Sequence, residues 1–316
     1  MISCIILLVS QSLCTYAQSV AVPIQSFLTI PGGLAFQLRA IESSPDNTLL
    51  AVLLNSEANA QIILFDSTLQ PFRKLPSPKG LKHLTLDHDK LLYSAVRPGT
   101  TSDFVICRMK FSDEKLTCID FPEIPEALFT NGGNLFVTSG GSVHYIDLDS
   151  GTIKQVHRYT NSQDIIWSTN SNGDYVLLAN GLTGMGYKCK SSKFSNWDCV
   201  LLELKSPEQK ASVSSKHPDE LFFDKISSDA SRIYILSGRY KAAEGFKLNV
   251  FSSTGQFLST TLLETPRISA HPEWKVSVAS SASDYWIANQ IALMNSKILI
   301  LDYRIRQLGI YGSLKE

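Results

Sequence analysis

A short polar turn that leads into two apolar residues and a strand recurs along this chain. Its six copies read SPDNTLLAVLL from Ser44, DHDKLLYSAV from Asp87, NGGNLFVTSG from Asn131, SNGDYVLLAN from Ser171, SDASRIYILSG from Ser228 and SASDYWIANQ from Ser281. The first apolar residues of successive copies are 42, 44, 40, 58 and 52 positions apart. Such a period is typical of proteins built from repeated supersecondary units. The chain is therefore predicted to contain six equivalent units.

Each copy of the turn lies between segments with β-type composition. Val, Ile, Leu and aromatic residues form short runs, and Asp, Ser, Asn and Gly separate them. No stretch sustains the apolar spacing of an amphipathic helix. The predicted fold is all-β, a β-propeller with six blades of four antiparallel strands. Seven blades, or a stack of two β-sandwiches, are the alternatives, but sandwiches would not require the same turn six times.

Residues 18–316 are predicted to form a single propeller domain that the N-terminal strand closes. The segment SFLTIPGGLAFQLRAI from Ser26 resembles PFRKLPSPKGLKHLTL from Pro71, in which an outer strand precedes an innermost one. Residues 20–31 are therefore expected to form an outer strand that pairs with KILILDYR from Lys297, although QLGIYGS from Gln307 competes for that place. The predicted blades are 35–78, 79–123, 124–160, 161–207, 208–266 and 267–316 together with 20–31.

The beginning of the chain carries no charged side chain before Arg39. Its apolar run, CIILLVS, is too short to span the roughly 30 Å hydrocarbon core of a bilayer. Thr15-Tyr16-Ala17 resembles a secretory cleavage site, so residues 1–17 are predicted to be a signal peptide. The alternative is that residues 2–10 form a buried strand. Export would place the protein outside the cell or in a periplasm.

Four cysteines remain after removal of residues 1–17, in two closely spaced pairs. Each pair flanks the predicted turn between the third and fourth strands of a blade. Directly opposed residues at a site without ladder hydrogen bonds lie about 4.5 Å apart between Cα atoms, which a disulfide accepts. Zinc sites require closer ligand spacing, and the redox motif C-x-x-C is absent. The predicted disulfides are Cys107–Cys118 and Cys189–Cys199.

Two stretches resemble known propeller repeats. KLNVFSSTGQFLSTTL, from Lys247, resembles an NHL repeat, and SSPDNTLLAVLL is similar to the SPDG turn of WD40 and YVTN propellers. These resemblances imply the propeller fold and no particular activity, because propellers host unrelated functions.

Two enzyme groups with propeller folds provide patterns that this sequence does not match. Calcium-dependent lactonases hold their metal with a Glu, two Asn and an Asp, and their Glu-Gly-Pro start is absent here. Peptidylglycine lyase-type NHL enzymes use several histidines around zinc, whereas only His83 and His271 are expected to face the channel. No cofactor is therefore predicted. A Ca- or Zn-dependent hydrolase or lyase is the alternative.

The charge balance and the predicted loops indicate a class of partner. The chain has 29 basic and 29 acidic side chains and a pI near 7.0, so nucleic-acid binding is not predicted. The leading hypothesis is a secreted, non-catalytic monomer that binds a protein, peptide or glycan on the face with the more variable connections. A structural or assembly scaffold is a further alternative. The predicted binding residues are Arg97, Asn180, Tyr187, Arg239, Tyr240, Lys241 and Asn289.

Overall fold

In the computed structural model, nearly all regular secondary structure of the described residues is β-strand. It describes residues 22–30, 37–55, 60–112, 115–159, 168–171, 175–181, 183–191, 197–211, 226–237, 246–265, 267–270, 290–301 and 307–312.

Six four-stranded antiparallel sheets follow one another along the chain, and the first three are each formed by consecutive strands. The first sheet contains β2 (Gln37–Ser43), β3 (Leu50–Asn55), β4 (Gln61–Phe65) and β5 (Pro71–Pro76). The second contains β6 (Leu81–Asp87), β7 (Lys90–Val96), β8 (Phe104–Lys110) and β9 (Leu116–Phe121). The third contains β10 (Ala127–Asn131), β11 (Asn134–Ser139), β12 (Ser142–Asp147) and β13 (Thr152–Arg158).

The last three sheets repeat this pattern, except that the sixth takes one strand from the beginning of the chain. The fourth contains β14 (Ser168–Ser171), β15 (Val176–Asn180), β16 (Met185–Lys190) and β17 (Asp198–Glu203). The fifth contains β18 (Ile226–Ser228), β19 (Arg232–Ser237), β20 (Phe246–Ser252) and β21 (Phe257–Leu263). The sixth contains β22 (Gln290–Met294), β23 (Lys297–Leu301), β24 (Gln307–Tyr311) and β1 (Ile24–Thr29). A short helix, α1 (Pro207–Ala211), follows the fourth sheet, and a 3-10 turn covers Ile268–Ala270.

The first strands of the sheets form a closed ring. β2, β6, β10, β14, β18 and β22 each contact the next in this order, and β22 contacts β2. Six clusters of buried apolar side chains fill the spaces between neighbouring sheets, one cluster for each space. The prediction of a six-bladed, all-β propeller is confirmed.

The N-terminal strand β1 completes the sixth sheet and so joins the two ends of the chain. It pairs antiparallel with β24, from Thr29 opposite Gln307 to Ile24 opposite Tyr311. Just before β1, the Val22 N–H donates to the Leu262 carbonyl at 2.8 Å, so the same segment also contacts the fifth sheet. Ile30, directly after β1, is buried and packs between the sixth and first sheets.

Two expectations for the sixth sheet are corrected. Lys297–Leu301 forms the second strand, so β1 pairs with Gln307–Tyr311 instead. Gln290–Met294, predicted as part of a connection, forms the innermost strand, because its run of apolar side chains is buried between neighbouring sheets. The sixth copy of the recurrent turn, from Ser281 to Asn289, lies outside the described residues.

Both predicted disulfides are present and join the third and fourth strands of the second and fourth sheets. Cys107 lies directly opposite Cys118, and Cys189 lies directly opposite Cys199, with a Cα–Cα distance of 4.1 Å in each pair. Disulfides are compatible with an oxidising compartment. Within the part of the chain that the structure describes, no helix has the length and apolar character needed to cross a membrane.

The connections divide between two faces of the ring. The turn face carries those from first to second strand and from third to fourth strand of each sheet. The loop face carries those from second to third strand and from one sheet to the next. These two names are used below.

Candidate functional site

Arg97 is the predicted binding residue that the structure places most openly on the loop face. It follows β7, its side chain is exposed, and its guanidinium forms an ion pair with Asp120 of β9. Its backbone N–H donates to the Asp103 carbonyl at 2.7 Å, which fixes the loop that leads to β8. The sequence-based expectation of an accessible Arg in this connection agrees with its position.

Asn180 and Tyr187 occupy positions with a structural role. Asn180, at the end of β15, is buried, and its Oδ1 accepts the Thr183 N–H at 3.2 Å, which shapes the turn into β16. Tyr187 lies within β16, not in the connection, and stacks on Tyr159 of the third sheet at 5.7 Å between ring centroids. Arg239, Tyr240, Lys241 and Asn289 lie outside the described residues.

The connection from β9 to β10 adds further side chains to the loop face. Glu123 and Ile124 both project from it, and Ile124 is 68% exposed, the largest value among the exposed large apolar residues of the described chain. We refer to Arg97, Asp120, Glu123 and Ile124 as the loop-face patch. It combines one exposed apolar side chain with an ion pair and the Glu123 carboxylate.

Two titratable side chains, His144 and Glu126, interact electrostatically with Glu123 of the loop-face patch. His144 Nε2 lies 3.7 Å from Glu123 Oε2. Burial lowers the pKa of His144, and the Glu123 carboxylate partly offsets this effect. Burial raises the pKa of Glu126, the Gly140 N–H opposes that shift, and the charge of Glu123 adds to it. The negative charge of Glu123 therefore disfavours ionisation of the Glu126 carboxyl group.

Two prolines in the sequence point to this patch, although they are not part of the repeated motif. Pro122 and Pro125 flank Glu123-Ile124, and prolines at both sides mark an irregular connection that cannot continue a ladder. An isoleucine held in such a segment is a candidate for exposure, because neither neighbouring strand can cover it.

The innermost strands hold the histidine that was predicted to face the channel. His83 Nε2, in β6, lies 3.0 Å from the Pro125 carbonyl, and burial lowers the pKa of its imidazole. His271 lies outside the described residues. Among the residues that the structure does describe, no three His, Cys, Asp or Glu side chains converge as metal ligands.

A polar cavity of about 370 Å³ opens on the turn face. The first-to-second-strand turns of the first, fifth and sixth sheets surround it. Its lining residues are Asp46, Asn47, Asp229, Ser231, Arg232, Tyr234, Leu293, Asn295, Ser296 and Ile298. None of these was a predicted site residue, because they come together only when the ring closes.

Comparisons with known proteins support the fold. The chain is similar to the β-propeller domain of Cps50 (Swd1) from Myceliophteria thermophila, with a TM-score of 0.53 and 11% identity over 91% of this chain and 99% of that one. It is also similar to a chain in the structure of S. cerevisiae Dbp5 bound to Nup159 and Gle1. The TM-score is 0.47, and the identity is 9% over 93% of this chain and 96% of that one. A third similar structure is the N-terminal domain of Nup159, with a TM-score of 0.46 and 10% identity over 92% and 94% of the two chains.

Sequence comparisons add no closer relationship. No protein-family model matches the chain, and no curated protein matches it. At 11% identity, the likeness to the Swd1 propeller shows a common fold alone.

Proposed function

We propose that this chain is an exported, non-catalytic β-propeller that binds a protein or peptide through its loop face. The observation that carries the proposal is the exposed Ile124, which shares the loop face with the Arg97–Asp120 ion pair. Arg is among the residues that are enriched at interface hot spots. Of the three ligand classes considered from the sequence, this combination favours a protein or peptide over a glycan.

Charge defines which peptides the patch would prefer. Asp120 and Glu123 each present a carboxylate, and Arg97 is already paired with Asp120. The patch therefore carries net negative charge, and an incoming lysine or arginine would meet Glu123 next to the apolar surface of Ile124. Basic peptides with an apolar neighbour are the expected ligands.

A displayed library of random peptides tests this proposal. Peptides selected on the purified protein should bind the Ile124→Ser and Glu123→Gln variants with a Kd raised about tenfold. Leu116→Ser is the matched control, because Leu116 is 52% exposed at the opposite end of the same outer strand, on the turn face. Failure to select any peptide, or equal losses in Ile124→Ser and Leu116→Ser, would contradict the proposal.

Four predicted residues outside the described part of the chain belong to the same proposal. Arg239→Ala together with Tyr240→Ala should also weaken the selected peptides without unfolding the protein. Unchanged affinity in this double variant would restrict the binding surface to the loop-face patch.

Export is proposed from the predicted signal peptide and is supported by the two disulfides. Protein purified from its native source should begin at Gln18, and its intact mass without reduction should show no free thiol. A chain that retains Met1, or that carries four free thiols, would contradict export.

A further inference from the structure

The turn-face cavity lies where the fifth, sixth and first sheets adjoin. Asp46 and Asn47 come from the first sheet, Asp229 to Tyr234 from the fifth, and Leu293 to Ile298 from the sixth, the sheet that β1 completes. Its volume of about 370 Å³ falls within the range of sites for small molecules. It is on the opposite face from the loop-face patch and is independent of the proposed partner.

The Asp229 carboxylate in the cavity already accepts hydrogen bonds from neighbouring protein groups. Asp229 Oδ1 accepts the N–H groups of Ser231 and Arg232, each at 2.8 Å, together with the Ser231 hydroxyl, and Oδ2 accepts the Tyr234 hydroxyl at 2.8 Å. Burial alone would raise the pKa of Asp229, but these hydrogen bonds lower it overall. Burial, followed by the bond to Asp229, raises the pKa of Tyr234 to about 12. This network therefore has little remaining capacity to bind an ionic ligand.

The groups left for a ligand are mainly neutral. The side chains of Asn47 and Ser296 form no hydrogen bond with another described residue, and Asn295 uses its Nδ2 to donate to the Ser67 carbonyl at 2.7 Å, which leaves its Oδ1. Asp46 engages Oδ1 with Ser44 and Thr48, while Oδ2 is 3.8 Å from His88. Amide and hydroxyl groups both donate and accept, as sugar hydroxyls do.

Three of the lining residues have a backbone conformation that is unfavourable for a non-glycine residue. Asn47, Asn295 and Ser296 have φ values of 56°, 46° and 63°, in the left-handed region that non-glycine residues rarely adopt. Non-glycine residues that are held in such backbone conformations cluster at functional sites. Below them, the buried side chains of Leu293 and Ile298 form an apolar floor.

We propose that this cavity binds a neutral saccharide of one or two rings. The sugar hydroxyls would bind the Asn47 amide, Asn295 Oδ1 and the Ser296 hydroxyl. Among the described lining residues Arg232 is the only basic one, so a phosphate would meet no cluster of cations there.

Neutral disaccharides provide the first probe. Maltose, cellobiose, lactose and diacetylchitobiose are each added to the purified protein during thermal unfolding. Because a ligand that contacts three sheets at the closure binds only the folded ring, at least one disaccharide should raise Tm, and more so at higher concentration. Titration followed by NMR then gives its Kd.

Variants of the rim locate the bound sugar. Asn47→Gly combined with Ser296→Gly removes two polar side chains that form no hydrogen bond with another described residue, and keeps backbone conformations that glycine adopts readily. This variant should raise the Kd at least tenfold. Asp46→Asn, which keeps the shape of the side chain, provides a second test if the first variant folds poorly. Asn134→Ala is the control, because Asn134 caps the equivalent turn of the third sheet, outside the cavity, and the Kd should remain within twofold.

Two charged probes distinguish other ligands. Glycinamide and inorganic phosphate are tested under the same conditions. A Tm increase from either that equals the sugar effect and disappears in Asn47→Gly/Ser296→Gly would overturn the assignment to neutral saccharides. No Tm increase from any of the disaccharides, or an effect that persists in the rim variants, would overturn the site itself.

Discussion

Aspartate side chains organise the tight turns of this protein one residue at a time. Asp46, Asp66 and Asp229 each accept the N–H of the residue two positions later, and Asp147 accepts the N–H groups of Asp149 and Ser150. In Asp66 the hydrogen bond from Thr68 lowers the pKa of the carboxyl, so the charged form maintains the turn. These local bonds explain why Asp and Ser recur in the repeated motif, and why the motif was visible in the sequence.

Gly80 provides a residue-scale prediction, because its backbone approaches its neighbour too closely for a side chain. Its φ is +72°, its carbonyl accepts the Val96 N–H at 3.0 Å, and an added Cβ would lie 2.7 Å from the Val96 carbonyl oxygen. We expect Gly80→Ala to lower the free energy of unfolding by about 2 kcal/mol or more, measured by urea denaturation. Gly99→Ala measures the cost of the backbone conformation alone, because φ at Gly99 is +87° and none of the atoms considered lies within 4 Å of a Cβ added there. Equal losses in the two variants would contradict the close contact.

At the scale of single elements, the disulfides fix the outer hairpins of two alternate sheets. Each closes a loop of 10 or 11 residues between a third and a fourth strand. Replacing Cys107 and Cys118 with Ser should lower the free energy of unfolding by about 2–3 kcal/mol, because the unfolded chain gains freedom. The same replacement at Cys189 and Cys199 should have a similar effect. Urea denaturation with and without reductant checks both, and reductant should no longer affect a variant that lacks all four.

The strands and cysteine pairs could be predicted from sequence because the information that defines them is local. An antiparallel hairpin places Cys107 opposite Cys118 by counting alone. The sixth sheet was assigned incorrectly because its first turn, Asn295-Ser296, lacks the Ser and Asp pattern of the others. The turn-face cavity was not predictable, since Asp46 and Asp229 are brought together by closure of the whole ring.

At the scale of the whole molecule, one strand determines whether the ring is continuous. Ile30, at the end of β1, is 1% exposed between the sixth and first sheets. Ile30→Ala should lower the free energy of unfolding by about 2–4 kcal/mol through the cavity that it leaves. Phe72→Ala is the control, because Phe72 is half-exposed on an outer strand and should cost far less. Tryptophan fluorescence during urea denaturation measures both, and equal costs would show that β1 does not tighten the closure.

The pairing of β1 with β24 also sets an order for biosynthesis. β1 leaves the ribosome well before its partner, Gln307–Tyr311, is made. Until then the edge of β1 has no hydrogen-bond partner in its own sheet, and the nascent chain has to avoid pairing it with other molecules. Truncation near the C-terminus should therefore leave a chain that aggregates, even though it retains nearly all of its sheets.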